Sequence, residues 1–361
     1  MQRTSHRYLQ LDVFADRPGA GNPLAVVLDA AGLDDAAMQA IARWTRLPET
    51  TFVLPPTTPE ASYRLRIFSP RREVPFAGHP SIGSAHAVLD AGLAVPRDGQ
   101  LVQECAVGLL PIEVRGAGRD RRLAVRAPKA RVLEIGQPGD PRLFAALEGF
   151  TAGALPPVLM DGGRRWWIAE LVDEASVRSL VPRWEAVSAL ARGHDAMGLC
   201  VFARTPGRDY DLVVRALVGQ PAQVEDAASG AANATLAAWL HHSNALPRAD
   251  GRYVVSQGRE VGHDARLAAL VAAPVPDSDE GRRTALRHHL EAGFHQCTID
   301  AQQRDDVTVG DGADNSAHAG GCSVLERRSL NAARPRRAAA RPPGVGSTTA
   351  ASASDCVPSL E

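Results

Sequence analysis

The sequence has few means of holding a metal or a covalent framework. Its five cysteines, Cys105, Cys200, Cys297, Cys322 and Cys356, are odd in number, scattered and never spaced as CxxC. That pattern argues against a disulfide scaffold and a zinc site, and fits a reducing compartment. It contains no HExxH, no GxSxG, no Walker loop and no GxGxxG after a strand, so the common zinc, serine-nucleophile and nucleotide signatures are missing. His241 and His242 are adjacent, and adjacent residues do not share a helix face. No metal and no cofactor are expected, which leaves any chemistry to side chains and backbone dipoles.

A charge excess is also lacking. Forty Lys and Arg face 41 Asp and Glu, a net charge of -1, so no global basic field draws nucleic acid or an anionic membrane. No apolar run approaches the ~20 residues that a bilayer-spanning helix needs. Met1–Tyr8 is polar and lacks the apolar core of a secretory signal. Neither nucleic acid nor membrane is expected as a partner, and a cytoplasmic location is. What remains is an ordinary globular composition, 45% hydrophobic and 22% charged, over 361 residues. That length suits two domains and an extension.

Alternating patterns predict strands at Leu9–Phe14, Leu24–Leu28, Thr50–Leu54, Ser62–Phe68, Leu110–Val114 and Arg122–Arg126. A helix capped by Asp34 or Asp35 presents Met38, Ile41 and Ala42 on one face and ends at Pro48. The second half repeats the logic, with strands at Trp166–Leu171, Leu199–Phe202 and Tyr210–Ala216. Two helices of small residues stand out. Gly83–Leu89 matches Gly230–Leu236 at four of seven places, and each follows a strand carrying an arginine, Arg66 or Arg215. Pro80 suits a first helical position. Small side chains let such a helix sit close to a sheet wrapped around it. The shared order points to a duplication, with the Gly-led starts near Gly83 and Gly230 facing one cleft. No strand is expected beyond Leu267. From about Pro274 periodicity fades, and Ala332–Ser354 is rich in Ala, Arg, Pro, Ser and Thr. Such a segment buries too little apolar surface to offset its ordering entropy. A disordered tail is expected, with room for a short helix near Glu280–Glu291.

Three residues are candidates for chemistry, each with a plainer reading. Glu49 follows Pro48 at a helix-to-strand junction beside apolar residues. There it is either an exposed loop carboxylate or one desolvated enough to work as an acid and base. His79, between Gly78 and Pro80, is either a packing histidine or a proton carrier. Asp226 is either an N-cap or a polar group of a site. The free N–H groups and positive dipole ends of the two helix starts suit a substrate carboxylate.

Several segments together resemble the PhzF family, named for an isomerase of phenazine biosynthesis. They are Asp12–Phe14, Gly21–Val26, Glu49–Val53, Arg66–Phe68, Phe76–Pro80, Glu225–Asp226 with Ser229–Gly230, and Ser256–Gly258. The resemblance covers roughly residues 8 to 268. It implies an α+β, diaminopimelate-epimerase-like fold: two pseudo-symmetric lobes, each a curved, mostly antiparallel sheet around a central helix. The lobes are expected at residues 1–130 and 131–272, followed by the atypical segment 273–361. It also implies a homodimer, no cofactor, and a small carboxylated substrate. Glu49, His79 and Asp226 fall on the family's catalytic positions, with Gly78, Ser81, Gly230 and Ala231 expected around the substrate. The related epimerases use two cysteines at the helix starts. Gly78-His79 and Gly230-Ala231 stand there in this chain, so two-thiol racemisation is excluded. The chain departs from the family's Glu-Asp-Pro-Ala-Thr-Gly-Ser pattern at Ala227, Ser229 and Ala231. Ala231 removes a hydroxyl from the second helix start.

The expected activity is a cofactor-independent isomerisation, in which Glu49 moves a proton and a double bond on a small carboxylated metabolite. The alternatives are a racemase or epimerase of such a metabolite, or a catalytically silent member that binds a ligand or partner.

Overall fold

The computed structural model describes residues 5–137, 140–272, 287–292 and 294–295. Its first lobe runs β1 (Arg7–Val13), β2 (Asn22–Leu28), α1 (Asp35–Thr45), β3 (Glu49–Leu54), β4 (Tyr63–Phe68), β5 (Glu73–Val74), α2 (Gly78–Asp90), β6 (Gln100–Cys105), β7 (Gly108–Arg115) and β8 (Arg122–Arg126). The second contains β9 (Arg131–Ile135), α3 (Pro141–Leu147), β10 (Val158–Asp161), β11 (Arg165–Glu170), α4 (Glu174–Ser179), α5 (Trp184–Gly193), β12 (Gly198–Arg204), β13 (Leu212–Val218), β14 (Val224–Asp226), α6 (Gly230–His242), β15 (Arg252–Gln257) and β16 (Ala265–Ala272). Two further strands follow, β17 (Arg287–Ala292) and β18 (Phe294–His295). Among the described residues no helix is long and apolar enough to cross a membrane.

The lobes repeat one another strand for strand. β2 pairs parallel with β3, and β11 parallel with β12. β4 lies antiparallel to β3 and parallel to β6, just as β13 lies antiparallel to β12 and parallel to β15. Short β5 and β14 each add to the outgoing strand. A bidentate ion pair marks the equivalence. Arg66 on β4 holds Glu73 on β5 through Nε and Nη2, both at 2.7 Å. Arg215 on β13 holds Glu225 on β14 at 3.0 and 2.7 Å.

The observed helix starts correct the repeat read from the sequence. Helix α2 begins at Gly78, not near Gly83. Gly78 is therefore the counterpart of Gly230, and Gly83 that of Thr235. Pro80 is the third helical residue rather than the first. It is tolerated because none of the first four amides has an intrahelical partner. Gly83 lies mid-helix, away from any cleft. A Cβ there would stand 2.5 Å from Leu24 Cδ2 and 2.9 Å from Val13 Cγ2, so the glycine lets α2 press onto β1 and β2.

Both central helices are buried on every side, from His79 to Val88 in α2 and from Ala232 to Leu240 in α6. A helix without a polar face has to be wrapped, and the ladders do so. Around α2 they run β18–β1–β2–β3–β4–β6–β7–β8–β17. Around α6 they run β9–β10–β11–β12–β13–β15–β16–β17. Strand β17 serves both sheets.

Strands beyond Leu267 therefore exist, against the reading of the sequence. β16 extends to Ala272, and Arg287–Ala292 is a strand where a short helix was expected to end. The physical reason is that β8 and β16 each present an open edge, and one extended segment satisfies both ladders. Residues 273–286 and the chain beyond 295, including Ala332–Ser354, lie outside the described residues.

Candidate active site

The two helix starts meet. A Cβ built on Gly78 would lie 3.9 Å from the Cα of Gly230. At this meeting point a cavity of about 620 Å³ opens, walled by both lobes. Gly78, His79, Gly230 and Ala231 line it, as do Glu49 and Asp226. Ser81 does not. Its side chain is fully buried, its hydroxyl donates to the Ala77 carbonyl at 2.9 Å and accepts from Gln103 Nε2 at 3.0 Å. Ser81 fastens α2 to β6 instead of facing the cavity. Asn233, its counterpart in α6, is fastened to Gln257 of β15 in the same way, at 2.8 Å.

Glu49 opens β3, paired with Leu24 across the parallel β2–β3 ladder. Its side chain keeps 20% of its area accessible, and that area opens into the recessed cavity. Burial, and then the nearby Asp226 carboxyl, push its pKa up to about 8, against a smaller opposing pull from Arg164. Oε2 lies 3.4 Å from Nε2 of His79, whose side chain is 8% exposed. Burial pushes His79 down to about 3, so the ring is neutral. Its Nε2 is buried without a hydrogen bond among the described residues.

Asp226 ends β14 in the other lobe. The N-cap of α6 is Ser229, whose hydroxyl accepts from the Ala232 amide. Asp226 Oδ1 instead accepts from Asn22 Nδ2 at 2.9 Å and from the Ala228 amide at 3.3 Å. Burial raises its pKa, while hydrogen bonds from Ser229, Ala228 and Asn22 pull it back. Asn22 also donates to the Ala228 carbonyl at 3.0 Å, so one residue of β2 grips the loop before α6 across the lobe boundary. From the other side, Gln257 donates to the Asp226 carbonyl at 2.7 Å. Gly258 then turns away with φ +93°, where a Cβ would meet the Ala227 oxygen at 2.4 Å. These contacts give the Gly-Asn-Pro and Ser-Gln-Gly segments a physical reason.

The pseudo-symmetry fails at the chemistry. With Arg66 set on Arg215, Glu49 falls on Gly198 and Asp226 on Val74. Each lobe thus supplies one carboxyl that the other lacks.

The free ends of the helices add a second feature. Ala77 precedes α2 without any side-chain cap. The first amides of α2 and α6 have no intrahelical acceptor, and their dipole ends converge on the cavity. An anion placed there gains hydrogen bonds and a favourable field. Ala231 adds only a methyl group to this wall.

Arg126, Arg164, Trp166 and Met197 are among the lining residues that no motif in the sequence marks as part of a site. Arg164 sits on the β10–β11 turn, and β10 was not read as a strand. Among the described residues, no three His, Cys, Asp or Glu gather closely enough to hold a metal ion. Cys105 and Cys200 are free thiols outside the cavity lining, and burial pushes Cys200 up to about 12.

Comparison with known proteins agrees with this architecture. The family model described as phenazine biosynthesis-like protein matches residues 11–287. Antisense-enhancing sequence 1 of Schizosaccharomyces pombe is 34% identical over 266 residues, covering 73% of this chain and 89% of that protein. The trans-2,3-dihydro-3-hydroxyanthranilate isomerase of Pseudomonas aeruginosa is 32% identical over 277 residues, covering 73% and 90%. The crystal structure of a PhzF-family phenazine biosynthesis protein from Bacillus anthracis superposes with a TM-score of 0.67 at 22% identity, covering 81% of this chain and 97% of that one. With two lobes wrapped around α2 and α6 and a family match across both, the chain belongs to the PhzF family.

Proposed function

We propose that this PhzF-family isomerase shifts a proton, and with it a double bond, on a small unsaturated carboxylate, using Glu49 as the acid and base. The observation that carries the reading is Glu49 itself, a cavity carboxyl raised to about 8 with no hydrogen bond to hold it among the described residues. The 32% identity to an isomerase of a dihydro-hydroxyanthranilate supports the substrate class.

The substrate carboxylate docks on the free amides of Gly78, His79, Gly230 and Ala231. Ionised Glu49 removes a proton from a carbon next to the unsaturation. The electron pair left behind delocalises into the adjoining π system. Glu49, now neutral, returns the proton at the far end of that system and the double bond moves. No atom is gained or lost. A carboxyl of pKa about 8 is roughly one-tenth ionised at pH 7, so both forms are available for the two half-steps. Neutral His79 faces Glu49 at 3.4 Å and brings no positive charge that would lower its pKa. Asp226, held by Asn22, Ser229 and the Ala228 amide, presents its carboxyl to a polar group of the substrate. Those bonds commit Asp226 to positioning, which favours a double-bond shift over two-base racemisation.

The test is turnover in deuterium oxide. One deuterium enters the product at the new C–H bond, and Glu49→Gln abolishes both exchange and isomerisation. Equal rates in the variant and the parent would sink the reading.

A further inference from the structure

Two arginines line the cavity besides Glu49 and Asp226. Arg126 ends β8, Arg164 lies on the β10–β11 turn, and both line the cavity. Elsewhere in the protein partly or fully buried guanidiniums hold carboxylates: Arg66 holds Glu73, Arg178 holds Glu260, Arg204 holds Glu170 and Arg215 holds Glu225. Half-buried Arg164 has no such ion pair among the described residues, acting on Glu49 only through its field, and exposed Arg126 has none either. The hydrogen bond Arg164 makes runs from Nη1 to the Met197 sulfur at 3.4 Å, and a thioether is a weak acceptor for a group with five donors.

The segments that bear the two arginines adjoin at the cavity wall. A Cβ on Gly163 would lie 3.5 Å from Pro128 Cγ, so the turn bearing Arg164 rests on the segment that follows Arg126. Between them Ala127 packs against Ala234 of α6. Ala234 is one helical turn past Gly230, ~6 Å along the axis at 1.5 Å per residue. The segments that carry the two arginines therefore stand a short molecule's length from the helix starts.

We propose that Arg126 and Arg164 form a second anion subsite, and that the substrate is a compact unsaturated dicarboxylate. One carboxylate sits on the paired helix starts and the other on the two guanidiniums, whose planar forks match a carboxylate edge. The isomerase reading supplies the unsaturation; the selectivity for two anionic groups is a binding property and is measured without turnover.

The experiment is titration calorimetry at pH 7 with glutarate and pentanoate, diacid and monoacid of equal chain length. The proteins are the parent, Arg126→Gln, Arg164→Gln and the double variant. Glutarate is expected to bind the parent at least about tenfold tighter than pentanoate. Each single variant narrows that ratio, and the double variant abolishes it while pentanoate affinity stays within about twofold. Arg126 is exposed, so its variant reports even if replacing Arg164 impairs folding. No preference in the parent, no binding of either acid, or a preference that survives in Arg126→Gln and in a folded double variant would each overturn the proposal. Failure of the isomerase reading is separate: it shows as full activity in Glu49→Gln with the glutarate preference intact.

Discussion

Oε2 of Glu49 lies 3.4 Å from Nε2 of His79, and at neutral pH the pair is mostly uncharged. Burial raises the acid and lowers the base. Two groups that would form an ion pair in water are kept neutral because neither ion is well solvated in the cavity. Several consequences can be measured.

Glu49→Gln is expected to lose about 10²- to 10⁴-fold in kcat, the usual worth of a positioned general acid or base, while gaining stability. The pKa of Glu49 is raised from 4.5 in the unfolded chain to about 8 in the folded one. The folded state thus keeps a proton that the unfolded state releases. The stability tied to that proton is complete below pH 4.5 and is lost as pH rises through about 8. At pH 8 the variant, which has nothing to ionise, should be more stable than the parent by about 4 kcal/mol. Denaturant melts of both proteins at pH 4.5 and pH 8 give the difference; a gain that does not grow with pH would count against a raised Glu49.

The same group sets the pH–rate profile. Proton abstraction needs ionised Glu49, so kcat/KM of the free enzyme should climb with pH and level off above about 8. His79, already neutral above about 3, adds no limb between pH 5 and 9. A profile flat across that range would contradict the assignment of Glu49 as base.

Asn22→Ala removes a cross-lobe hydrogen bond and leaves the Ala228 carbonyl without that donor. It should cost about 1–3 kcal/mol of stability and raise the Asp226 pKa further, since a bond to the charged form is lost. Carbon-13 titration of the Asp226 carboxyl reads the shift directly, and an unchanged titration would show that Asn22 does not govern it.

The repeated arginine–glutamate pairs provide an internal comparison. Arg215 and Glu225 are 4% and 3% exposed, while Arg66 and Glu73 are 18% and 38% exposed. Glu225→Gln leaves a buried guanidinium with Glu260, 4.0 Å from its Nε, as its remaining ion partner and should cost about 3–5 kcal/mol. Glu73→Gln, closer to solvent and with Asp35 also on Arg66, should cost at most about 1 kcal/mol. Equal losses in chemical denaturation would refute the role given to burial.

Gly83→Ala probes packing apart from chemistry. The added methyl meets Leu24 and Val13, and overpacking of this kind costs about 1–3 kcal/mol. Its midpoint in denaturant should fall while kcat/KM stays near that of the parent.

The two-lobed fold was legible because its strongest signals are local. Tyr63–Phe68 alternates strictly, and the small residues of α2 and α6 demand a close wrapping sheet. Other elements left no such trace. Arg131–Ile135 alternates between exposed and half-buried rather than exposed and buried. Ala265–Ala272 is rich in Ala and Leu, good helix formers, and is held extended by its ladder with β15. The start of α2 is hard to read because Pro80 fits a first helical position as well as the third one it occupies. Within the site, Glu49, His79 and Asp226 sit in recognisable segments. Arg164 reaches the same cavity from a turn 115 residues after Glu49 and 62 before Asp226 in the numbering, and only tertiary structure brings it there.

Strand β17 belongs to both sheets, and this bears on how the protein is made. Translation delivers β8 at Arg126, but its partner in the ladder begins at Arg287, about 160 residues later by that numbering. At roughly 5–20 residues per second, the nascent first lobe waits on the order of ten seconds or more with the edge of β8 unpaired. Open edges recruit other strands, so throughout this interval the newborn chain carries an edge on which a foreign strand can pair.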